Sequence, residues 1–295
     1  MTVGSAPGAV SKGRPARRVL LVDLDDTLYR VHKIPEIVKE RIQEYMVKKL
    51  GIPQEEVAAK TTEYYLTYGT TLAGLVAAGY RIDYDDWHEF VHQGALDYDT
   101  LLQPDPSLRD ILCSIDLPKY ILTNANRVHT ERALARLGLS DCFQGLFYFE
   151  NVMELAASHG FDTAHGVLCK PNPRIYQLVA EQLGVGLSEV IFFDDSVRNV
   201  ASAHGLGALT VLVGTDKPCP GADLALPTMH ALPAAMPELM DQPGLVHEHH
   251  HTHAPAAAVE QQGGGVLAVP AAARGTSGGG GGIAIAVPAA RVPAS

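Results

Sequence analysis

The chain has 295 residues, of which 46% are hydrophobic and 19% charged, and its formal net charge is −10. This balance is typical of a globular protein with a sizeable core, and the negative charge argues against non-specific binding to DNA or RNA, which depends mainly on Lys and Arg. The four cysteines form no C-x-x-C pair, so the sequence predicts neither a zinc knuckle nor a disulfide framework.

The first residues are basic. Lys12, Arg14, Arg17 and Arg18 are accompanied by no acidic residue. We predict that residues 1–17 form a disordered leader, with the end of an organelle-targeting peptide as the alternative. Since no apolar run is long enough to span a membrane, we expect a cytoplasmic protein without a membrane partner, or an organellar one if the leader is a targeting signal.

Five short apolar runs predict buried strands, because they are mostly continuous rather than alternating. Helical patterns lie between them, and two of these, Val128–Leu137 and Pro173–Leu183, each end just before a glycine, a common helix stop. The fold class predicted from this repetition is α/β, a Rossmann-like parallel sheet with helices on both faces. The predicted strands are Val19–Val22, Tyr120–Leu122, Leu146–Phe149, Val190–Phe193 and Leu209–Val213.

Residues 31–102 interrupt this repetition with helical patterns alone, and we predict a small all-helical cap domain. It leaves the sheet directly after the first strand, at the edge where open α/β sheets bind ligands. The core would then consist of residues 18–30 and 103–240. The predicted cap helices are Ile34–Leu50, Gln54–Thr67, Thr71–Ala78 and Tyr84–Gln93.

Residues 241–295 are dominated by Gly, Ala, Pro and Val, with a run of five glycines at Gly278–Gly282. We predict a disordered tail. Its histidines could bind a transition metal weakly, but a low-complexity run without a physiological ligand is the favoured interpretation. These histidines are His247, His249, His250, His251 and His253.

The strongest motif follows the first strand, where Asp23, Asp25 and Asp26 occur within four residues. Carboxylates this close repel one another and are costly to desolvate unless a cation or a phosphate site uses them. A solvated acidic turn is the alternative for this motif taken alone.

Three further polar groups occur where strands end or where a loop can reach the strand ends. Each has a simple alternative, such as a helix cap or a solvated lysine. Together and in this order they predict one polar site at one rim of the sheet. They are Thr123 and Asn124, then Lys170, then Asp194 and Asp195 with Asn199 following.

These four motifs and the helical insert resemble the haloacid dehalogenase-like hydrolase superfamily, over about Arg18 to Met240. The resemblance implies its Rossmann-like fold with a helical cap. Four stretches further resemble the pyrimidine 5′-nucleotidase-like branch of that superfamily. They are Tyr68–Leu75, Phe90–His92, Leu122–Asn126 and Phe192–Asn199.

The resemblance implies a phosphatase that depends on Mg²⁺, a cation that prefers oxygen ligands. Asp23, the backbone carbonyl of Asp25, and Asp195 would hold the metal. Asp23 would attack phosphorus to form an aspartyl-phosphate, and Asp25 would act as general acid and then as general base. Asp26 is given no catalytic role.

Thr123, Asn124 and Lys170 are expected to bind the phosphoryl oxygens. Asp194 is expected beside the metal ligands, and Asn199 is expected to orient Lys170 or Asp195, or else to be a surface residue at a helix start. Residues of the cap are expected to determine substrate specificity. The alternative for its aromatic residues is a role in the hydrophobic core, which is more common for aromatic clusters at helical spacing. The candidates are Tyr68, Thr70, Thr71 and His92.

The partner predicted is a small phosphorylated metabolite, most favourably a nucleoside 5′-monophosphate with a pyrimidine base. A purine monophosphate, pyridoxal phosphate or a sugar phosphate is the alternative, and so is a non-catalytic regulatory protein on the same scaffold. A response-regulator receiver fits less well, because the helical insert has no counterpart there. A metal-free dehalogenase fits less well, because both Asp25 and Asp195 are present. The sequence gives no indication of the oligomeric state.

Overall fold

The computed structural model describes residues 16–240. Its centre is a six-stranded sheet with the order β3-β2-β1-β4-β5-β6, in which every neighbouring pair is parallel. The fold class predicted from the sequence is confirmed. The strands are β1 Val19–Val22, β2 Lys119–Leu122, β3 Gly145–Phe147, β4 Val190–Asp194, β5 Leu209–Val213 and β6 Leu224–Leu226.

All five predicted strands are present, but two details differ from the prediction. The run Leu146–Phe149 was assigned wholly to a strand, whereas β3 ends at Phe147 and Phe149 begins a helix. Strand β6 was missed, because it is an edge strand of only three residues, too short an apolar run to be recognised, and only Leu226 of the three is buried.

The segment between β1 and β2 is helical, as predicted for the cap. Helix α4 continues into one π-helical turn, Glu89–Gln93, where a single helix was expected. The helices of this segment are α1 Lys33–Lys48, α2 Gln54–Tyr68, α3 Thr71–Ala77, α4 Tyr84–His88, α5 Tyr98–Leu101 and α6 Pro106–Cys113.

The remaining helices cover the sheet. The predicted stops after α7 and α9 are confirmed, because Gly138 and Gly184 both adopt left-handed backbone conformations with φ of 73° and 65°. These helices are α7 Arg127–Leu137, α8 Phe149–Ser158, α9 Pro173–Leu183, α10 Val197–Gly205 and α11 Leu232–Ala235.

The sheet is buried on both faces, as its continuous apolar strands require. Successive residues of a strand point to opposite sides, so Leu21 and Phe192 belong to one hydrophobic cluster, whereas Leu20 and Ile191 belong to the other. Among residues 16–240, no helix combines the length and apolar character needed to cross a lipid bilayer. The leader up to residue 15, the tail and its histidines lie outside the described residues.

Candidate active site

The carboxyl ends of the strands and the cap enclose a cavity of about 340 Å³. The predicted site residues converge there, as expected for the rim of a parallel sheet. Asp194 is the exception among the core residues, since it is fully buried behind the cavity wall. The core residues that line the cavity are Asp23, Asp25, Thr123, Asn124, Lys170, Asp195 and Asn199.

Lys170 is the central cation of the site. Its Nζ donates to Asp23 Oδ1 at 2.6 Å and to Asp194 Oδ2 at 2.7 Å, and its side chain is only 2% exposed. Burial alone would lower the pKa of Lys170, but the two carboxylates outweigh it and hold the pKa above its ordinary value. The lysine therefore stays charged beside the predicted nucleophile.

Asp194 is held by donors on both of its oxygens. Asn199 Nδ2 lies 2.9 Å from Oδ1 and 3.1 Å from Oδ2, and the backbone N–H of Ser196 donates to Oδ1 at 2.8 Å. Asn199 was expected to orient Lys170 or Asp195; its amide contacts Asp194 instead, and Asp194 in turn accepts from Lys170. The alternative of a surface residue is wrong, because Asn199 is buried.

Asn124 holds the backbone of Lys170 on both sides. Its Oδ1 accepts from the Lys170 N–H at 2.8 Å, and its Nδ2 donates to the Lys170 carbonyl at 3.0 Å. Both polar atoms of the Asn124 amide are thus used to hold the backbone of Lys170, whereas Asn124 was expected to bind the phosphoryl oxygens. Thr123 Oγ1 accepts from the N–H of Ala125 at 3.0 Å, which leaves its hydroxyl proton for a ligand in the cavity.

Three carboxylates could hold a metal ion. Oxygens of Asp23, Asp194 and Asp195 all lie within 4.8 Å of one another. Burial, together with the charges of Asp194 and Asp26, raises the pKa of Asp195 to about 7, which reflects an excess of negative charge. An all-oxygen, negatively charged donor set suits a hard divalent cation such as Mg²⁺. The residues present therefore fit the predicted metal.

Asp25 faces a different set of neighbours. Its Oδ1 accepts from the hydroxyl of Tyr29 and lies 2.8 Å from Nε2 of His129. Burial raises the pKa of Asp25, but His129 and Tyr29 outweigh it, and the pKa falls to about 2. The Asp25 carboxylate is therefore held by His129 and Tyr29, and it is not one of the three carboxylates that could hold a metal.

Sequence reasoning missed His129. It lies in the first turn of α7, where Asn126 caps the helix by accepting from the His129 N–H. That cap follows β2 closely, so the third residue of the helix can reach the strand ends. The available signal was a histidine three residues after a capping asparagine at a strand end, which is too common a pattern to single out.

The cap candidates divide into two groups. Thr70, Thr71 and His92 line the cavity. Tyr68 is not among the lining residues; its ring packs against Tyr64 with 6.4 Å between the ring centres. His88, buried and also on the cavity wall, was missed because one buried histidine on an aromatic helix has no distinctive sequence pattern.

Comparison with a family model shows which family the chain belongs to. Residues 18–207 match the family model described as a haloacid dehalogenase-like hydrolase. Because the match covers more than half of the chain, the chain belongs to the haloacid dehalogenase-like hydrolases.

Among curated relatives, the chain is 27% identical over 204 residues to Phosphate metabolism protein 8 of Saccharomyces cerevisiae, a match that covers 65% of this chain and 60% of that protein. The match thus spans less than two thirds of the yeast relative's length. The chain is also 26% identical over 208 residues to a glyceraldehyde 3-phosphate phosphatase of Pyrococcus furiosus, covering 66% and 79% of the two chains. A phosphoglycolate phosphatase of Neisseria meningitidis is 25% identical over 201 residues, covering 64% and 77%.

Several solved structures have a similar fold. An L-2-haloacid dehalogenase from Xanthobacter autotrophicus is 21% identical with a TM-score of 0.46, covering 76% of this chain and 99% of that one. A phosphatase of the same superfamily from Thermococcus onnurineus is 19% identical with a TM-score of 0.48, covering 74% and 97%.

Proposed function

We propose that this protein is a magnesium-dependent phosphatase that hydrolyses a small phosphate monoester through an aspartyl-phosphate on Asp23. The observation that carries the proposal is the buried ammonium of Lys170, 2.6 Å from Asp23 and 2.7 Å from Asp194. A phosphate dianion approaching these carboxylates needs fixed positive charge. Two of the relatives described above are named as phosphatases.

In the proposed mechanism, an Asp23 oxygen attacks phosphorus in line, and the bond from phosphorus to the leaving oxygen breaks. Lys170 stays beside Asp23 and neutralises the charge that develops on the phosphoryl oxygens, while Thr123 donates its hydroxyl to one of them. Mg²⁺, held by Asp23, Asp195 and the Asp25 carbonyl, would supply further charge neutralisation as a Lewis acid.

Asp25 would carry the protons. With its pKa lowered to about 2 by His129 and Tyr29, it is a carboxylate at rest, ready to take a proton from the water that hydrolyses the intermediate. To protonate the leaving group in the first half of the reaction, Asp25 needs a higher pKa. The negative charge of a bound phosphate dianion raises the pKa of Asp25, because a nearby like charge disfavours the carboxylate. Asp194, Asn199 and Asn124 would position these groups without touching the substrate.

The favoured substrate is a nucleoside 5′-monophosphate, pyrimidine first. The branch resemblance supports it, and so does a cavity of about 340 Å³ between cap and core. Purine monophosphates, pyridoxal phosphate and sugar phosphates are the alternatives. A cytoplasmic location remains a prediction.

The test is phosphate release from a panel of nucleotides, sugar phosphates and pyridoxal phosphate, with Mg²⁺ and with EDTA. We expect turnover of a nucleotide that is lost with EDTA and restored by added Mg²⁺. Turnover unaffected by EDTA would contradict the metal dependence. Absence of any turnover by folded protein in Mg²⁺ would favour the non-catalytic scaffold.

A further inference from the structure

His88 is a buried side chain whose polar atoms are unused. The residue is 4% exposed and lines the cavity, and within residues 16–240 neither of its ring nitrogens has a hydrogen-bond partner. Nδ1 of His92 is buried on the same wall, likewise without a partner in the described chain. Buried polar atoms are normally satisfied, so three nitrogens left open beside one cavity indicate that a ligand satisfies them.

The rings of His92 and His88 continue a series of contacts that begins at Asp25, the predicted general acid. His129 contacts Asp25 at 2.8 Å, the His92 ring centre lies 5.4 Å from that of His129, and the His88 ring centre lies 5.7 Å from that of His92. His88 and His92 are nearly parallel, at 27°, because they are four residues apart where α4 passes into the π-helical turn. Counted by contacts from Asp25, His88 is thus the third ring of the series.

This end of the cavity is uncharged. Burial lowers the pKa of His88 to about 4 and the pKa of His92 well below its ordinary value. Each neutral imidazole offers one N–H donor and one acceptor nitrogen. The neighbouring wall is apolar and partly aromatic, with Ile34, Val38, Ile42, Trp87, Phe149 and Val167. Within residues 16–240, the lysine and arginine side chains that line the cavity are Lys170, which is paired with Asp23 and Asp194, and Arg198, which donates to the carbonyls of Tyr65 and Leu66. Neither is free to balance a second phosphate or a carboxylate beside His88.

We propose that His88 and His92 form the leaving-group subsite, and that it takes an uncharged planar ring carrying both a hydrogen-bond donor and an acceptor, the chemistry of a nucleobase. This inference rests on the proposed phosphatase function and adds the residues that would hydrogen-bond to the ring of the leaving group. The leaving groups of phosphoglycolate and glyceraldehyde 3-phosphate are small and not planar rings, and they would leave His88 unsatisfied.

The test compares kcat/KM for uridine 5′-monophosphate and for acetyl phosphate, whose acetate leaving group is too small to reach His88. In His88→Phe we expect a loss of about tenfold to a hundredfold for the nucleotide, because a hydrogen-bonding site for the ring is removed. Acetyl phosphate should change by less than about threefold, within the range of an uninvolved position. His88→Gln, which keeps a donor and an acceptor, should recover part of the nucleotide activity.

Tyr84→Phe is the matched control. Tyr84 packs its ring against Phe149 at 5.0 Å between ring centres but does not line the cavity, so both substrates should be unaffected. Equal losses for both substrates in His88→Gln would mean that His88 is only structural, and would overturn the inference. A wild-type enzyme that hydrolyses acetyl phosphate and phosphoglycolate but prefers no nucleotide would overturn the subsite alone. No hydrolysis of any ester would overturn the proposed function itself.

Discussion

Nε2 of His129 lies 2.8 Å from Oδ1 of Asp25, while Nδ1 of the same ring lies 2.8 Å from the hydroxyl of Tyr98. We assign the tautomer from this network: the Tyr98 hydroxyl donates to Nδ1, so Nε2 carries the proton and donates to Asp25. The buried tyrosine thereby fixes the imidazole, and the imidazole fixes the carboxylate.

Replacing His129 by Phe should raise the pKa of Asp25, which by itself favours the acid role, but it also removes the 2.8 Å contact that positions the carboxylate. We expect the loss of position to dominate and to impair proton transfer to the leaving group. We expect kcat/KM for an alkyl phosphate to fall about tenfold to a hundredfold, whereas p-nitrophenyl phosphate, whose leaving group needs no proton, should lose less than about threefold. Since kcat/KM covers only the steps up to formation of the aspartyl-phosphate, its later hydrolysis does not enter. His165→Phe, at an 84% exposed side chain, is the control. Equal losses on both esters would contradict the assignment.

Asp23→Asn should abolish turnover and leave the fold intact, because the amide keeps the volume but is no nucleophile. Lys170 would keep its second partner, Asp194, at 2.7 Å. Phosphate release and thermal melting would be measured together, with Asp216→Asn as control, because Asp216 is exposed and does not line the cavity. Retention of even about a tenth of the activity, one factor of ten in the rate, would rule out Asp23 as the nucleophile.

Asn199→Leu should reduce both stability and activity, because it removes the two contacts of 2.9 and 3.1 Å that hold the buried Asp194. We expect a loss of about 1–3 kcal/mol in the free energy of unfolding. Asn151→Leu is the matched control: Asn151 also makes two hydrogen bonds, at 2.9 and 2.7 Å, but outside the cavity. If both variants lose stability and only Asn199→Leu loses activity, the positioning role is supported; unchanged activity in Asn199→Leu would refute it.

Gly69→Ala should disturb the contact between cap and core. A Cβ at Gly69 would lie 2.7 Å from Cδ of Pro171 and closer still to the carbonyl oxygen of Lys170. Gly79→Ala is the control for backbone strain. The φ of Gly79 is +88°, close to the +94° of Gly69, but no atom lies within 4 Å of the Cβ that would be added at Gly79. We expect the melting temperature and kcat/KM to fall clearly more in Gly69→Ala. Equal effects would show that only strain matters.

The buried His88 predicts a pH-dependent stability. Its pKa is about 4 in the folded chain, against an ordinary value of 6.5, so between these values the unfolded chain binds the extra proton and stability falls as the pH falls. The contribution is about 1–2 kcal/mol between pH 6.5 and 5. Urea unfolding at the two pH values should show a smaller difference for His88→Phe than for wild type, with exposed His165→Phe unchanged. An unchanged difference in His88→Phe would show that His88 is not buried in its neutral form.

Local sequence patterns predicted the structural features that depend on residues close together in the chain. The continuous apolar run of β1 and the glycine after α7 indicated a buried strand and a helix end, and both are present. The parallel topology also brought Asp23, Thr123 and Asp195 to one cavity, because the carboxyl ends of parallel strands share one edge.

What the sequence did not reveal depends on distant contacts. Asn199 was expected to orient Lys170 or Asp195, whereas the group that its amide contacts is Asp194. The choice among three nearby polar groups is decided by where the helix lies to within a few ångströms. His129 acquires its position only when α5 brings Tyr98 to its other nitrogen. Such pairings leave no periodicity or spacing to recognise.

The central position of β1 has a consequence for biosynthesis. Its strand pairs with β4, where Val19 lies beside Val190, and Lys170 meets Asp23 across 147 residues of sequence. Chain synthesis proceeds from the N-terminus, so Asp23 leaves the ribosome long before its partner lysine and the strand that buries it. A nascent chain therefore carries the proposed nucleophile without the lysine that pairs with it, and the site is complete only when β4 has joined β1.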